Sequence, residues 1–387
     1  MRTIIVGAGI AGLWLAEQLA KRGDRVTVLE KDKRLGGRVV TAAAGYEIGA
    51  GRIAAPHRRV LALVRRFGLS TYAHTDGTRW MSLDGDSYEN NFSDVWDALL
   101  RLIRSLDPDV LATHTLRELA VRILGPKAAN DILQKFPYRA ETETLRADLG
   151  ILTFDGDMSA STKFMGVVGG LSRIITGLAE ACRAAGVRIR LNTTVIDVIG
   201  NAAVLADGSS VAADRVVLAM PVSALRELPL TRDLPLLRLL AIKPLTRFYA
   251  STTLRLNERV VTDSPLRFII PIRDDVIMIS YVESQDTEPL RGLTGPALVR
   301  RLTTEIRRLF PGTEIAWAKS YEWEEGCSYW LPGRYDPAAA SVAAFEPIAG
   351  IHLCGESFSL HQAWMEGALD HAAGLLDYLG KSKLATR

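Results

Sequence analysis

The chain has 387 residues, 48% hydrophobic and 24% charged, and its 47 basic and 44 acidic residues give a net charge of +3. This length suffices for two hydrophobic cores, and the near balance of charge argues against a nucleic-acid partner. Three widely spaced cysteines argue against a disulfide framework and against a metal site. No signal-peptide pattern and no run of 18 apolar residues is present, so we expect a cytoplasmic protein that neither spans nor binds a membrane.

The chain opens with a short apolar strand, Thr3–Val6, followed by a glycine-rich turn with the GxGxxG spacing of a dinucleotide-binding fingerprint. The first glycine allows the turn, the second lets the backbone approach a pyrophosphate, and the third lets the helix pack on the strand. The predicted cofactor contacts in this turn are Gly7, Gly9, Ile10, Ala11 and Gly12.

A βαβ unit is completed by a predicted helix over Leu13–Arg22 and a second strand over Arg25–Leu29. The helix N-terminus offers unpaired N–H groups to phosphate. Glu30 ends the second strand, where a carboxylate accepts hydrogen bonds from ribose hydroxyls. Glu30 and its neighbour Lys31 are therefore predicted cofactor contacts, and these features alone leave FAD and NAD both open.

The segment Arg34–Thr41 resembles the R-x-G-G-R-x-x-(S/T) extension of the flavin-containing amine oxidase family. In that family the glycines bring the loop against FAD, and the matching arginine lies near its diphosphate. The resemblance thus implies FAD as the cofactor, a Rossmann-like FAD-binding domain, and Gly37 and Arg38 as contacts.

The resemblance continues in the middle of the chain. Gly169–Ile175 is similar to a Gly-Gly-apolar element of the family that starts a helix, and Val195 matches a backbone contact to adenine. An Asp207-Gly208 hairpin turn precedes Ala213–Pro221, which is similar to the D-x-V-V-x-A-x-P strand of flavoprotein FAD domains.

The C-terminal part resembles the family most specifically. Gly355 and Glu356 follow a buried strand and are expected at the ribityl–phosphate end of FAD, and Gln362–Ala368 is similar to the signature G-(W/Y)-x-E-G-A. Ala363 replaces the usual glycine, and Met365 is expected at a helix N-terminus that faces the flavin pyrimidine oxygens. The contacts implied in this part are Gly355, Glu356, Ala363, Trp364, Met365 and Ala368.

These motifs imply an α/β fold with discontinuous domains. The FAD-binding domain is predicted to comprise 1–55, 150–225 and 340–387, and a mixed α+β substrate-binding domain 56–149 and 226–339. Apolar residues recur at helical spacing within 57–150, and β-branched residues alternate over 247–284 with a turn at Asp274-Asp275.

The segment Gly49–Ile53, with the later His57, resembles L-amino-acid oxidases, and the G-A-G-R form is closest in motif to bacterial tryptophan oxidases. There the arginine grips the substrate carboxylate, a role suited to the bidentate guanidinium fork. Arg52 is the predicted clamp. The alternative is that Arg52, with Gly51, contacts the FAD phosphates or pairs structurally with a carboxylate.

Aromatic residues are expected to flank the substrate amine. Trp364 matches one wall of the family's cage, and Tyr329 or Trp330 is the candidate for the opposite wall. Tyr281 is a candidate second donor to a carboxylate. Lys243 and Arg247 are both candidates for the basic residue that the family places near flavin N5, and we expect noncovalent FAD because Ser328 separates Cys327 from an aromatic residue.

The resemblance implies an FAD-dependent oxidase that deaminates an L-amino acid, with an aromatic one as a candidate, to the imino acid and reduces O2 to H2O2. Three alternatives stay open: a mono- or polyamine oxidase without carboxylate recognition, an FAD-dependent desaturase or isomerase, and a noncatalytic flavin-binding protein. The oligomeric state also stays open, with a homodimer as one alternative.

Overall fold

A computed structural model of the chain describes residues 1–74, 77–83, 92–136, 138–156, 158, 162–273 and 275–385. The chain divides into two compact units. The first unit comprises Met1–Tyr72, Phe164–Ile242 and Tyr335–Arg387, and the second comprises Ala73–Lys163 and Lys243–Arg334. Over the described ranges, every helix is too short or too polar to cross a bilayer.

Both units contain helices and strands. The strands are β1 (Arg2–Val6), β2 (Arg25–Leu29), β3 (Ile53–Ala54), β4 (Thr71–Ala73), β5 (Thr78–Met81), β6 (Phe164–Val167), β7 (Arg188–Arg190), β8 (Val195–Ile199), β9 (Ala202–Leu205), β10 (Ser210–Ala212), β11 (Arg215–Leu218), β12 (Leu240–Thr252), β13 (Arg259–Thr262), β14 (Phe268–Arg273), β15 (Val276–Glu283), β16 (Ile315–Trp330) and β17 (Ile351–Leu353). The α-helices are α1 (Ile10–Lys21), α2 (Arg58–Arg66), α3 (Phe92–Arg104), α4 (Pro108–Thr113), α5 (Leu116–Leu124), α6 (Pro126–Leu133), α7 (Arg139–Glu143), α8 (Ala147–Asp155), α9 (Ser172–Ala184), α10 (Val222–Glu227), α11 (Gly295–Leu309), α12 (Pro337–Ala343) and α13 (Met365–Ala385).

The first unit is built on a parallel sheet with the strand order β17-β11-β1-β2-β7. Its central strands read as continuous apolar runs because helices shield them from water, and α1 packs against both α9 and α13. Ile5, Leu13, Leu178 and Leu375 are among the fully buried residues of this core. The carboxyl ends of β1 and β2 lead directly into the glycine turn and Glu30.

The second unit combines a sheet with the order β16-β12-β15-β14-β13-β5 and a group of helices. β12, β15 and β14 pair antiparallel, as do β14 and β13, whereas β13 and β5 pair parallel. Phe248 and Ile279 belong to the core under the sheet, and Trp96 and Phe136 belong to a separate core among the helices. The observed fold is thus a mixed helix and sheet structure.

The unit boundaries differ from those predicted. The first segment extends to Tyr72 rather than to residue 55, because Val60, Leu63 and Val64 of α2 pack into the same core as α13. The second unit likewise retains residues 150–163, because Ile151 and Phe154 of α8 are buried in its helical core. The turn predicted at Asp274-Asp275 includes Asp274, which lies outside the described residues.

Candidate functional site

The glycine turn between β1 and α1 is tightly packed on one side and open on the other. Gly7 has φ +104°, and a Cβ there would collide with the Ala219 carbonyl. A Cβ at Gly12 would collide with the Gly7 carbonyl, so α1 approaches β1 closely only with glycine. A Cβ at Gly9, by contrast, would meet nothing within 4 Å. The space above Gly9 is therefore open to a ligand.

The turn presents the N-terminus of α1 to this space. Gly9 is the N-cap of α1 and has no side chain to cap the first turn, so backbone N–H groups near Ile10 and Ala11 are available to an anion. The loop at Gly36 and Gly37 lies against it: Gly36 donates its N–H to the Ala8 carbonyl at 2.8 Å. A Cβ on Gly37 would lie 3.5 Å from the Cα of Gly9.

Glu30 lies at the edge of the same turn and is 7% exposed. Its Oε2 accepts the N–H of Ala8 at 2.8 Å, and its Oε1 accepts the N–H of Asp32 at 2.9 Å. Each carboxylate oxygen has a second lone pair that can accept from a ligand hydroxyl. Lys31 is exposed, and its ammonium pairs with Asp32 at 3.0 Å.

An ion pair joins the N-terminal loop to the C-terminal segment. Arg38 donates to Glu356 Oε2 at 2.8 Å, and Glu356 Oε1 accepts the N–H of Ala363 at 2.7 Å. Ala363 has φ +68°, in the left-handed region that favours glycine, which accounts for the glycine usual in the motif. The turn forms here with alanine.

Gly355 precedes this pair with φ +138°, a conformation open to glycine alone. Its N–H donates to Nδ1 of His371 at 3.4 Å, and Nε2 of His371 contacts the Ser341 carbonyl at 3.2 Å. This assigns the neutral tautomer with the proton on Nε2. Burial lowers the pKa of His371 to about 4. His371 was not singled out from the sequence because it lies outside every motif.

The other predicted cofactor contacts are spread through the first unit. Val195 is the buried first residue of β8 and pairs with Leu205. Gly51 directly precedes Arg52 and is half-buried. Met365 is the first residue of α13, as predicted, and Ala368 donates its N–H to the Trp364 carbonyl at 3.3 Å.

Arg52 lies against two aromatic rings of the first unit. Its Cζ is 4.1 Å from the ring centroid of Phe164 and 5.6 Å from that of Trp364. The two rings are nearly parallel, with an interplanar angle of 11° and centroids 6.2 Å apart. His57 packs edge-on against Trp364 at 4.9 Å. The structure therefore brings together Arg52 and Trp364, two residues predicted to contact substrate.

Phe164 was missed from the sequence. It is the first residue of β6 and pairs with Ala54 of β3, so the strand that follows Arg52 holds it in place. Tyr329 is 1% exposed and Trp330 is 0% exposed. Whether one of these two rings provides the second wall stays a prediction.

In the second unit, predicted and unpredicted residues meet on one face of the sheet. Arg247 of β12 lies opposite Tyr281 of β15, with its Cζ 5.3 Å from the tyrosine ring centroid. Lys243 lies on the same strand, before the register with β15 begins at Leu245. Which of the two basic residues serves the flavin N5 position stays a prediction.

Two buried glutamates, Glu283 and Glu141, lie near Tyr281 and Tyr329. The Tyr281 hydroxyl is 3.4 Å from Glu283 Oε2, and the Tyr329 hydroxyl donates to Glu141 Oε1 at 3.0 Å. Burial, followed by the nearby Glu141 carboxylate, raises the pKa of Glu283 well above its usual value. Burial and the Glu283 carboxylate also raise the pKa of Tyr281. Neither glutamate lies in a motif, so the sequence alone did not indicate them.

The cysteines do not suggest further chemistry. Cys182, Cys327 and Cys354 are buried thiols, and burial raises the pKa of Cys182 and of Cys354 to about 12, which disfavours the reactive thiolate. Among the described residues, His, Cys, Asp and Glu side chains form no group of three or more that could hold a metal ion.

Known proteins are similar to this chain over most of its length. Residues 10–373 match the family described as flavin containing amine oxidoreductase. The chain is similar to proteins named L-amino-acid oxidase from Mus musculus (24% identical, over 95% of this chain and 69% of that protein) and from Bothrops pauloensis (23%, over 95% and 86%). A third, from Gloydius halys, is 26% identical over 95% of this chain and 86% of its own length. The chain belongs to the flavin-containing amine oxidoreductase family.

Proposed function

We propose that the chain is an FAD-dependent oxidase that deaminates an L-amino acid to the imino acid and reduces O2 to H2O2. Membership of the family makes it a flavin oxidoreductase with FAD as the cofactor. Relatives with 23–26% identity that span most of this chain are named L-amino-acid oxidase, which supports the choice of substrate class.

The first unit fits FAD. The open space above Gly9, together with the N-terminus of α1, suits a diphosphate, and the Glu30 carboxylate beside it suits the ribose hydroxyls. The Arg38–Glu356 pair links the two loops expected along the phosphates and the ribityl chain. We therefore assign a Rossmann-like GxGxxG site to this unit, with FAD bound noncovalently.

The position of Arg52 is the single observation that carries the substrate assignment. Contact with the Phe164 ring holds the guanidinium beside Trp364, with Cζ 4.1 Å and 5.6 Å from the two ring centroids. A guanidinium carries five N–H donors in a fork that matches a carboxylate, so this position suits the carboxylate of an amino acid. Trp364, the residue before α13, places the same group next to the segment that resembles the flavin-contacting signature.

When bound, FAD supplies the chemistry by accepting a hydride from the substrate Cα and passing the electrons to O2. Arg52 binds and orients the substrate carboxylate, which fixes the direction in which Cα points. The rings of Phe164 and Trp364 lie beside that contact and restrain the guanidinium. The N-terminus of α13 stabilises negative charge that develops next to it.

Replacing Arg52 tests this assignment. We expect Arg52→Ala to lower kcat/KM for the best L-amino acid by about 100-fold or more, because two charge-assisted hydrogen bonds are lost. Arg52→Lys keeps the charge without the bidentate fork, so we expect an intermediate loss. The amine made by decarboxylating the same amino acid serves as the control substrate, and its kcat/KM should change by less than about threefold.

Equal losses for amino acid and amine would show that Arg52 supports the fold or the cofactor instead of the carboxylate. Unchanged turnover of the amino acid would overturn the clamp directly. Peroxide formation by the unaltered protein separates the proposed oxidase from a desaturase or isomerase and from a noncatalytic flavoprotein, which release none.

A further inference from the structure

We propose that Glu366 is a positioning residue that sets substrate recognition by holding the start of α2, and through it Arg52. The inference rests on the proposed role of Arg52 as the carboxylate clamp. Glu366 is the second residue of α13 and is 7% exposed. It touches neither the guanidinium nor the aromatic rings in any contact described above, so its action is indirect.

The contact is made by the carboxylate to backbone. Glu366 Oε1 accepts the N–H of Arg59 at 2.7 Å, and Oε2 accepts the N–H of Val60 at 2.9 Å. Arg59 and Val60 lie in the first turn of α2, whose N–H groups have no partner within their own helix. Glu366 thus caps α2 from another helix, with a negative charge at the positive end of its dipole.

The N-cap residue of α2 does not cap its own helix. The N-cap, His57, makes no side-chain capping bond to its own helix, and its Nδ1 accepts the N–H of Ala54 at 3.1 Å instead. The ring of His57 packs edge-on against Trp364, two residues before Glu366. The Glu366 cap and the His57–Trp364 contact therefore both join the start of α2 to the start of α13.

Only five residues separate Arg52 from α2, and both ends of this connection are held. At one end, Ile53 and Ala54 pair with Met165 and Phe164 of β6. At the other end, the start of α2 is held on Glu366. Without the Glu366 contact, the connection between β3 and α2 would shift relative to Trp364. The Arg52 guanidinium, at the start of this connection, would then lose its fixed position.

Calorimetry on the FAD-loaded protein measures how well Arg52 binds a carboxylate. The ligand is benzoate, a carboxylate with no amine to oxidise, and benzamide is its uncharged counterpart. Glu366→Gln removes the charge and directs an amide donor at one of the two N–H groups. We expect the Kd for benzoate to rise about tenfold, the equivalent of one charge-assisted hydrogen bond, and the Kd for benzamide to stay within about twofold.

Asp370→Asn is the matched control. Asp370 lies one turn further along α13 and contacts the same α2 residue, but its oxygens contact exposed side chains, those of Arg59 at 2.6 Å and of His361 at 3.0 Å, whereas Glu366 contacts backbone. We expect this variant to leave the benzoate Kd unchanged. Thermal unfolding of both variants shows how much of any effect is general destabilisation. Glu366→Asp, which keeps the charge but shortens its reach, replaces the glutamine variant if that protein does not fold.

The Arg52→Ala background separates this inference from the proposed function. If Glu366 acts through Arg52, Glu366→Gln changes the benzoate Kd in the parent protein and has no further effect once Arg52 is replaced. Additive losses in the double variant would overturn the inference and leave the clamp standing. If Arg52→Ala alone does not weaken benzoate binding, the proposed function itself fails.

Discussion

At the scale of single residues, the contacts of Arg52 with two aromatic rings restrain its guanidinium. An aromatic ring beside a guanidinium lowers the entropy that is lost when the group binds a ligand. Phe164 supplies this restraint at 4.1 Å from Cζ, and the Trp364 ring centroid lies 5.6 Å from the same atom. Phe164 is thereby expected to matter for affinity although it does not contact a carboxylate itself.

Replacing Phe164 by leucine tests that role. We expect Phe164→Leu to raise KM for the best L-amino acid by about three- to tenfold, because a cation–π contact contributes roughly 0.5–2 kcal/mol. The corresponding amine, which does not use the clamp, serves as the control in the same steady-state assay. An unchanged KM for the amino acid would show that the ring does not orient Arg52.

At the scale of elements, one glycine of the glycine turn is required for packing and another leaves room for the cofactor. A Cβ at Gly12 would meet the carbonyl of Gly7 in the same turn, whereas a Cβ at Gly9 would enter open space. Gly9 has φ −72° and ψ 179°, which alanine adopts without strain. The two positions are close in sequence and chemically identical, so they form a natural pair of matched substitutions.

We expect Gly12→Ala to lower the free energy of unfolding of the apoprotein by about 1–3 kcal/mol, because overpacking separates α1 from β1. Gly9→Ala should change it by less than about 0.5 kcal/mol but weaken FAD binding by at least about tenfold, since the methyl group occupies the proposed phosphate position. Denaturant unfolding and FAD titration measure the two quantities. Tight FAD binding by the Gly9 variant would contradict the proposed cradle.

Local patterns account for the elements that sequence analysis predicted well. The second strand was predicted at Arg25–Leu29 and observed there, because its apolar run, the preceding glycine and the terminal glutamate all fix its bounds. The first helix begins at Ile10 instead of Leu13, because the last three glycine-turn residues, Ile10 to Gly12, already adopt helical geometry. Such short-range signals suffice where one segment determines its own conformation.

Contacts between distant segments could not be predicted in this way. Phe164 reaches Arg52 through the pairing of β3 with β6, and that pairing depends on two very short strands far apart in the chain. Glu141 lies in α7, and its partner Tyr329 lies in β16. A sequence pattern carries no information about which face of a remote helix meets a given strand, so the contacts of Phe164 and Glu141 could not be predicted before the fold was known.

At the scale of the whole molecule, the stability of the protein should depend on pH through its buried histidines. The pKa of His371 falls from 6.5 to about 4 because burial penalises the charged ring. Between these values the unfolded chain binds a proton that the folded chain does not, so stability is lost as the pH falls below 6.5. Burial lowers the pKa of His352 as well, which acts in the same direction.

We expect the contribution of His371 to reduce the free energy of unfolding by about 2 kcal/mol between pH 7.5 and pH 5.0. His371→Asn removes the titrating group and retains one donor and one acceptor for Ser341 and Gly355. The pH dependence measured by denaturant unfolding should therefore be smaller in this variant by that amount. An identical pH dependence in both proteins would assign the effect to other groups.

In the proposed function, the first unit holds a flavin and its Arg52 selects an amine that bears a carboxylate. The family match, which runs over residues 10–373, covers segments of both units. Net charge and composition contribute little to either claim, since they are ordinary for a globular chain. The identity of the substrate therefore tests the proposed function.

Anaerobic mixing of the FAD-loaded protein with single L-amino acids shows whether an L-amino acid reduces the flavin, which is measured by its visible absorbance. We predict that at least one L-amino acid bleaches the flavin, that the amine lacking its carboxylate does so far more slowly, and that admitting O2 restores the colour with release of H2O2. Rapid bleaching by simple amines, with none by any L-amino acid, would contradict the proposed function.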